Sequence, residues 1–112
     1  MDTPESPSSC QVFRKTVDLL AKPWTGQILW TLQEGPLRFN EIATRVTGIG
    51  EKVLSARLKE LESQGLLARH VFPTTPVKVE YKLTCKGCGF QQVVEAITSW
   101  GSMIAEPGEK PD

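Results

Sequence analysis

The residues of this 112-residue chain best suited to chemistry are its three cysteines, of which Cys85 and Cys88 stand together in a Cys-Lys-Gly-Cys motif. Thr84 precedes the motif and can cap a helix that begins there. Unpaired backbone N–H groups at a helix start and the charge of Lys86 favour the thiolate, the form that reacts with oxidants. The motif therefore predicts a pair of oxidisable thiols. The alternative, that the cysteines are small apolar side chains packed in a core, stays open at this point.

Other chemical sites have little support in the sequence. A zinc site needs about four ligands, whereas the chain offers three cysteines and His70, which lies on a predicted hairpin that we expect to be distant from the motif. No histidine is paired with a nucleophile, and there is no glycine-rich phosphate loop or pocket of paired carboxylates. We therefore expect a protein that is not an enzyme, with no catalytic residue, metal or cofactor. The main rival is a thiol–disulfide oxidoreductase, but such enzymes carry the motif within a βαβ pattern near the chain start.

Charge is distributed unevenly along the chain. The formal net charge is zero, but five acidic residues lie in the two tails, and residues 10–104 carry twelve Lys or Arg against eight Asp or Glu. That surplus suits a surface that faces phosphates. Because no apolar run approaches roughly 18 residues and the first ten residues do not resemble a signal peptide, we expect a cytoplasmic protein with no membrane partner.

The sequence pattern predicts one folded domain over residues 10–104, between disordered tails at 1–9 and 105–112 that are rich in Pro, Ser and acids. Helices are predicted over residues 11–20 and 25–33. A third, short helix is capped by Asn40 and ends near Gly48. A fourth spans residues 51–64, where three leucines repeat at helical spacing. A chain of this length buries only about two-thirds of its unfolded surface, so dimerisation would enlarge its core.

A hairpin and a last helix complete the predicted domain. Residues 66–72 and 77–83 are extended runs joined by a Pro-Thr-Thr-Pro turn, and the second run alternates apolar and charged residues. Thr84 then caps a helix that runs to about Ile104 along one apolar stripe. The predicted fold is mainly α with a small β-hairpin, of the α+β class. A short helix, a longer helix and a two-stranded ribbon form a winged helix-turn-helix, whose second helix enters the major groove of DNA.

The helix at residues 51–64 carries most of the candidate DNA contacts. If its leucines face the core, two lysines, a serine and an alanine face outward, towards phosphates and base edges. Arg57 lies on the flank, where it either holds a phosphate or pairs with a carboxylate such as Glu60 or Glu41. Lys78 near the hairpin tip and Arg38 before the third helix are candidates for backbone contacts. The candidate DNA-binding residues are Arg38, Lys52, Ser55, Ala56, Arg57, Lys59 and Lys78.

Three ordered segments closely resemble the HxlR family of transcription regulators, a branch of the MarR-like winged helices. They are Gly-Pro-Leu-Arg-Phe-Asn-Glu-Ile at 35–42, the run at 52–62 with Gly-Leu-Leu at 65–67, and Val-Glu-Tyr-Lys-Leu-Thr at 79–84. The resemblance spans roughly residues 10–100. It implies a homodimeric regulator, usually a repressor, that binds a pseudo-palindromic site in double-stranded DNA. It also implies a dimer interface between the first and last helices, formed here by Val12, Phe13, Val93, Ile97 and Trp100.

The resemblance also concerns the cysteines. Many relatives carry a cysteine near the start of the first helix, which matches Cys10, and some of them sense oxidants or electrophiles through it. This implies that Cys10 is the first redox target, in a position to approach Cys85 or Cys88 of a partner subunit, under the control of an oxidant or small-molecule effector. The Cys-Lys-Gly-Cys motif itself departs from the family pattern. A second alternative function is a winged helix kept only for contacts with proteins.

Overall fold

The computed structural model describes residues 8–107, a chain of helices with one hairpin. Its helices are α1 (Ser9–Ala21), α2 (Thr25–Thr31), α3 (Phe39–Arg45), α4 (Glu51–Ser63), α5 (Cys85–Cys88) and α6 (Phe90–Ala105), and a 3-10 turn, Leu32–Glu34, extends α2. The strands are β1 (Leu67–Phe72) and β2 (Lys78–Leu83). The predicted fold class, mainly α with a β-hairpin, is confirmed, as is the order of the elements. None of the helices in residues 8–107 combines the length and the apolar composition of a membrane-spanning segment.

The core lies where α2, α3 and α4 meet the base of the hairpin. The three leucines of α4 are buried, as their spacing predicts, because i, i+4 and i+7 fall on one face of a helix. The left-handed residue Gly65 (φ 79°) turns the chain from α4 into β1. The buried apolar residues are Ile28, Leu29, Leu32, Leu37, Ile42, Val46, Leu54, Leu58, Leu61, Leu67 and Leu83.

The start of α3 differs from the prediction. Arg38, not Asn40, is the N-cap residue, and the helix ends at Arg45, before Gly48. The Glu41 carboxylate accepts a hydrogen bond of 2.8 Å from the Arg38 backbone N–H. The first N–H groups of a helix have no acceptor within the helix. Here the Glu41 carboxylate, three residues into the helix, accepts from the Arg38 N–H, which would otherwise be left to solvent.

The hairpin forms the predicted wing with β1 and β2 paired antiparallel. Its register places Leu67 opposite Leu83 at the base and Phe72 opposite Lys78 near the tip. Leu37 adds a single bridge to the central Tyr81, so the short extended segment before α3 pairs with β2 as a third, minimal strand. Since β2 begins at Lys78, the residues between the strands are four predicted turn residues plus Val77.

The predicted last helix is divided in two. Thr84 caps α5 as expected, because its hydroxyl oxygen accepts a hydrogen bond of 3.2 Å from the Gly87 N–H, but α5 ends at Cys88 and α6 begins at Phe90. At the other end of the chain Ser8 caps α1, so helices extend into positions 9 and 105, which the predicted domain limits assigned to the tails. The remaining predicted tail residues, 1–7 and 108–112, lie outside the described residues.

Helices α1 and α6 project from this core. The radius of gyration is 17.1 Å, whereas a compact chain of this length has about 13 Å. Neither helix buries a side chain completely within residues 8–107, although both carry apolar residues. The described part of the chain therefore leaves two apolar helical faces unpartnered.

Candidate nucleic-acid interface

The outward face of α4 is the centre of the candidate interface. Lys52, Ala56 and Lys59 are exposed and Ser55 is half-buried, opposite the buried leucine face. Residues 52, 56 and 59 are spaced i, i+4 and i+7, so they form one stripe along the helix. Neither lysine forms an ion pair within the described part of the chain. The structure thus brings together two unneutralised cations on a rigid, solvent-facing helix, as the sequence predicts; their contact with DNA stays a prediction.

Arg57 is engaged in contacts within the chain. Its Nε donates to the Pro23 carbonyl oxygen at 2.9 Å, and one terminal nitrogen lies 3.1 Å from the Glu60 carboxylate. Lys22 binds the same carboxylate at 2.8 Å. Of the alternatives left open by the sequence, the internal pair with Glu60 is the one that forms. The Arg57 side chain is only 19% exposed and holds α4 to the α1–α2 turn, so its guanidinium is engaged within the chain; its contact with a phosphate stays a prediction.

The electrostatics of this network centre on Glu60. The hydrogen bond from the Lys22 ammonium, with further attraction from Arg57, holds the pKa of the Glu60 carboxyl below its ordinary value. Ionised Glu60 therefore links residues that are 38 and 3 positions away in sequence. The network fixes the turn between α1 and α2 against the flank of α4.

The wing contributes fewer free charges than expected. Lys78 lies 3.2 Å from the Glu80 carboxylate, and its ammonium lies 5.1 Å from the centre of the Phe72 ring. An ammonium with both partners is partly neutralised and held along the strand, and the predicted contact of Lys78 with the DNA backbone stays a prediction. Arg69, which sequence reasoning did not select, is exposed on β1. Alternation along β1 places Arg69 on the same face of the strand as buried Leu67. Only the structure shows that this face is buried at Leu67 and exposed at Arg69.

Arg38 is exposed at the N-cap of α3, the helix that precedes α4 in the helix-turn-helix. Its backbone is engaged by Glu41, and its guanidinium forms no ion pair with any residue from 8 to 107. This position matches the predicted contact with a phosphate beside a helix N-terminus, which stays a prediction.

All three cysteines are free and exposed. The reading of these residues as packed core side chains is therefore wrong for the isolated chain. Cys10 lies in the first turn of α1, and Cys85 and Cys88 are the two ends of α5. The prediction that His70 lies far from the Cys-Lys-Gly-Cys motif is wrong, because His70 lines the same surface cavity as Cys85 and Cys88. Among the residues that the structure describes, no three His, Cys, Asp or Glu side chains are grouped to hold a metal ion.

The predicted dimer residues lie on the two projecting helices. Phe13 is 70% exposed and Trp100 is 65% exposed. Val12 and Ile97 are also exposed, whereas Val93 is half-buried. Exposed apolar side chains this large are typical of surfaces that bind a protein partner, and the assignment of these residues to a dimer interface stays a prediction.

The chain resembles known regulators over most of its length. The family described as HxlR-like helix-turn-helix matches residues 19–109. The HTH-type transcriptional regulator YodB from Bacillus subtilis (strain 168) is 42% identical over 100 residues, which make up 89% of this chain and 89% of YodB. The solved structure of reduced YodB from B. subtilis covers 91% of this chain and 100% of its own, with a TM-score of 0.83 and 41% identity. YodB has also been solved diamide-treated and quinone-bound.

Two further structures share the fold. The redox regulator HypR in its oxidised form has a TM-score of 0.74 and 32% identity, covering 82% of this chain and 95% of its own. A MarR-family transcriptional regulator from Enterococcus faecalis V583 has a TM-score of 0.81 and 26% identity, and the match covers 93% of this chain and 94% of the regulator. These relatives are transcriptional regulators, a class that is generally not enzymatic. The match over residues 19–109 and the shared winged-helix fold show that this chain belongs to the HxlR-like helix-turn-helix family of transcriptional regulators.

Proposed function

We propose that the chain is a sequence-specific repressor that binds a pseudo-palindromic site in double-stranded DNA as a homodimer. The observation that carries this proposal is the stripe of Lys52, Ala56 and Lys59, exposed on a helix whose other face is anchored by buried leucines. A helix of about 10–12 Å diameter fits the major groove, which is about 12 Å wide. The lysines bind phosphates there, and the short side chains of Ser55 and Ala56 let the helix approach base edges.

The positioning of α4 supports this function. Its buried face packs into the core, and the Arg57–Glu60–Lys22 network holds its flank to the turn before α2. Direct recognition of bases requires a rigid helix, because a shift of about 1 Å breaks a hydrogen bond to a base edge. The wing follows α4 directly after the turn at Gly65, and its first strand carries the exposed Arg69.

DNA binding is tested by its dependence on salt. Each phosphate neutralised by a lysine adds about 0.9 to the slope of log affinity against log salt concentration. A K52A/K59A double variant removes two such charges per subunit, so the slope of the dimer should fall by about 3.6. The matched control is K15A, which removes an exposed charge from α1. Fluorescence anisotropy with DNA from upstream of the protein's own gene measures the salt slope of both variants. An unchanged slope in the double variant would contradict the assignment of α4.

The same assay also distinguishes DNA binding from the rival function, a winged helix that serves only contacts with proteins. If the double variant and the wild type bind upstream and scrambled DNA equally weakly while both remain dimeric, the fold serves protein contacts instead of DNA recognition. The fold alone does not choose between these functions. The unpaired lysines of α4 favour DNA, because a cationic stripe in the recognition helix has a direct use on phosphates.

The dimer uses α1 and α6, which carry exposed apolar faces and leave the isolated chain extended. Trp100 is the largest exposed side chain on α6, and large aromatic residues dominate the energy of interfaces. We expect W100A to weaken dimerisation by about 2 kcal/mol, a roughly 30-fold rise in the dissociation constant. V71A, which shortens a half-exposed side chain on β1, is the control. Sedimentation equilibrium measures both variants, and equal dissociation constants would exclude this interface.

The repressor is switched by oxidants or electrophiles, with Cys10 as the first target. Cys10 is exposed in the first turn of α1, on the helix that we assign to the dimer interface. Relatives that have been solved after diamide treatment, in complex with a quinone, or in oxidised form support such a response. Replacing Cys10 by Ser should raise, several-fold, the diamide concentration that releases half of the bound DNA. An unchanged midpoint would show that Cys10 does not react first.

A further inference from the structure

A surface cavity at the base of the wing contains two thiols. Its volume is about 530 Å³, and it lies between the hairpin and α5. Cys85 and Cys88 both face it and both are exposed. An oxidant therefore has access to two thiols side by side, in a place that Cys10 does not share. The remaining lining residues are Ala68, His70, Lys82, Leu83 and Thr84.

The two thiols are spaced for a bond between them. Cys85 and Cys88 are three residues apart in one α-helical turn, which is closed by the hydrogen bond of 2.8 Å from the Cys88 N–H to the Thr84 carbonyl oxygen. Residues three apart in an α-helix have Cα atoms about 5 Å apart. Disulfides require Cα atoms about 4.4–6.8 Å apart, so the pair can close without moving any other element.

The turn that contains this pair is fixed to the end of the recognition helix. The Thr84 N–H donates to the Leu66 carbonyl oxygen at 3.0 Å, and the Thr84 hydroxyl donates to the Gly65 carbonyl oxygen at 2.6 Å. Gly87 packs directly on the Leu66 backbone, where a Cβ would lie 2.2 Å from the carbonyl oxygen. The first half of the turn therefore moves with α4 and the wing.

The second half of the turn leads into α6. Gly89 separates α5 from α6, and its N–H bonds the Lys86 carbonyl oxygen at 3.2 Å in a 3-10 manner instead of continuing the α-helical ladder. Glycine in a helix adds conformational freedom to the chain. The Cys-Lys-Gly-Cys turn and Gly89 together thus form the joint between the wing and α6, the helix that we assign to the dimer interface.

We propose that Cys85 and Cys88 form a second redox site, an intrasubunit disulfide that a hydroperoxide generates and that fixes this joint. One thiolate attacks a peroxide oxygen, so that an S–O bond forms, the O–O bond breaks and an alcohol or water leaves after taking a proton. The other thiol then attacks the sulfenic sulfur, the S–S bond forms and water leaves. Two thiols are oxidised by two electrons, and one hydroperoxide is reduced.

This site differs in its geometry from a link between subunits. A bond within one turn needs no partner subunit, whereas a bond between Cys10 and the α5 pair needs a particular dimer. The effect on DNA, which rests on the proposed function, follows from the position of the joint. In a dimer held by α6, the orientation of α6, which is set by this joint and by its packing on α2, determines the distance between the two copies of α4. Half-sites on DNA accept only separations near one helical turn, about 34–36 Å.

The test uses the C10S variant, in which only the α5 pair can react. The protein is treated with hydrogen peroxide, the excess is removed with catalase, and the product is examined by intact mass and on a non-reducing gel. We expect a monomeric band that has lost the mass of two hydrogen atoms and regains it with dithiothreitol. The C10S/C85S and C10S/C88S variants, each with one thiol, should instead give sulfenic or higher acids. Products of C10S that are only intersubunit disulfides or sulfinic acids would overturn the proposal.

A second measurement tests the joint and keeps its outcome separate from DNA binding. Hydrogen exchange of the backbone amides from Cys88 to Gln92 should slow in the oxidised C10S protein, since a closed turn opens less often. Unchanged exchange would overturn the fixing of the joint. In anisotropy assays, oxidation of C10S should lower DNA affinity by about fivefold or more. Loss of DNA binding by the reduced protein would contradict the proposed function while the mass result still stands for the dithiol.

Discussion

Replacing Gly87 by Ala tests the packing that attaches the dithiol turn to the recognition helix. A Cβ at this position would lie 2.2 Å from the Leu66 carbonyl oxygen and 3.0 Å from the Leu83 Cδ2 atom. Since carbon and oxygen normally stay more than 3 Å apart, the two backbones must separate by about 1 Å. The Leu66 carbonyl also accepts the bond from the Thr84 N–H, and the Leu66 N–H is bound to the Leu61 carbonyl. The chain therefore cannot yield at Leu66 without weakening hydrogen bonds.

The expected cost of G87A follows from these contacts. Overpacking in a fixed structure costs about 1–3 kcal/mol, and a weakened backbone hydrogen bond adds about 1 kcal/mol. The better helix propensity of Ala returns about 1 kcal/mol. The net loss of unfolding free energy is about 1–3 kcal/mol, and each kcal/mol lowers Tm by about 4–8 °C for a domain of this size.

Thermal unfolding followed by circular dichroism measures this effect, at one protein concentration and under reducing conditions, because dimerisation and thiol oxidation also change Tm. The matched control is G26A in α2, where a Cβ meets no described atom within 4 Å and φ is negative. Its Tm should stay the same or rise slightly. A G87A protein as stable as wild type would refute the reasoning, because it would show that the Leu66 carbonyl is free to move.

Three further variants test the interface and its support. K78A should reduce the salt slope of DNA binding by less than about 0.9 per subunit, because Glu80 and the Phe72 ring already engage Lys78; a full reduction, measured by anisotropy, would restore its predicted role. L58A should lower the unfolding free energy by about 2–5 kcal/mol in urea titrations, since Leu58 is 1% exposed; a smaller loss would contradict its burial. E60Q should be less stable than wild type at neutral pH. Because the pKa of Glu60 is held below 4.5 in the folded chain, its stabilisation is present above that value and is lost as pH falls through the folded pKa, so urea midpoints of E60Q and wild type should converge in acid; a constant difference would place the effect elsewhere.

Features that depend on neighbouring positions could be predicted. The limits of α4 agree with the prediction to within one residue, since the repeat of Leu54, Leu58 and Leu61 and the glycine at 65 report directly on a helix and its end. The alternation in residues 77–83 likewise predicts a strand. The exposed stripe of α4 follows from the same periodicity, because burial of one helical face determines which residues face solvent.

Capping and helix breaks were less predictable. Both Arg38 and Asn40 precede a plausible first turn of α3, and the start is decided by Glu41, whose side chain reaches back to the Arg38 N–H. The interruption at Gly89 has a similar origin. The apolar stripe continues through the whole segment, so periodicity indicates one helix, while the close contact of Gly87 with Leu66 determines how the first turn lies.

The sequence alone thus determined the family fold and the stripe of candidate DNA contacts, because both depend on residue types at short, regular spacings. Only the tertiary structure decided which charges are free. Arg57 binds a carbonyl 34 residues away, and Lys22 reaches Glu60 across 38 residues. The tertiary structure also places His70 in the cavity that Cys85 and Cys88 line. No spacing rule encodes such contacts, because the path of the chain between distant residues is set by the packing of the whole core.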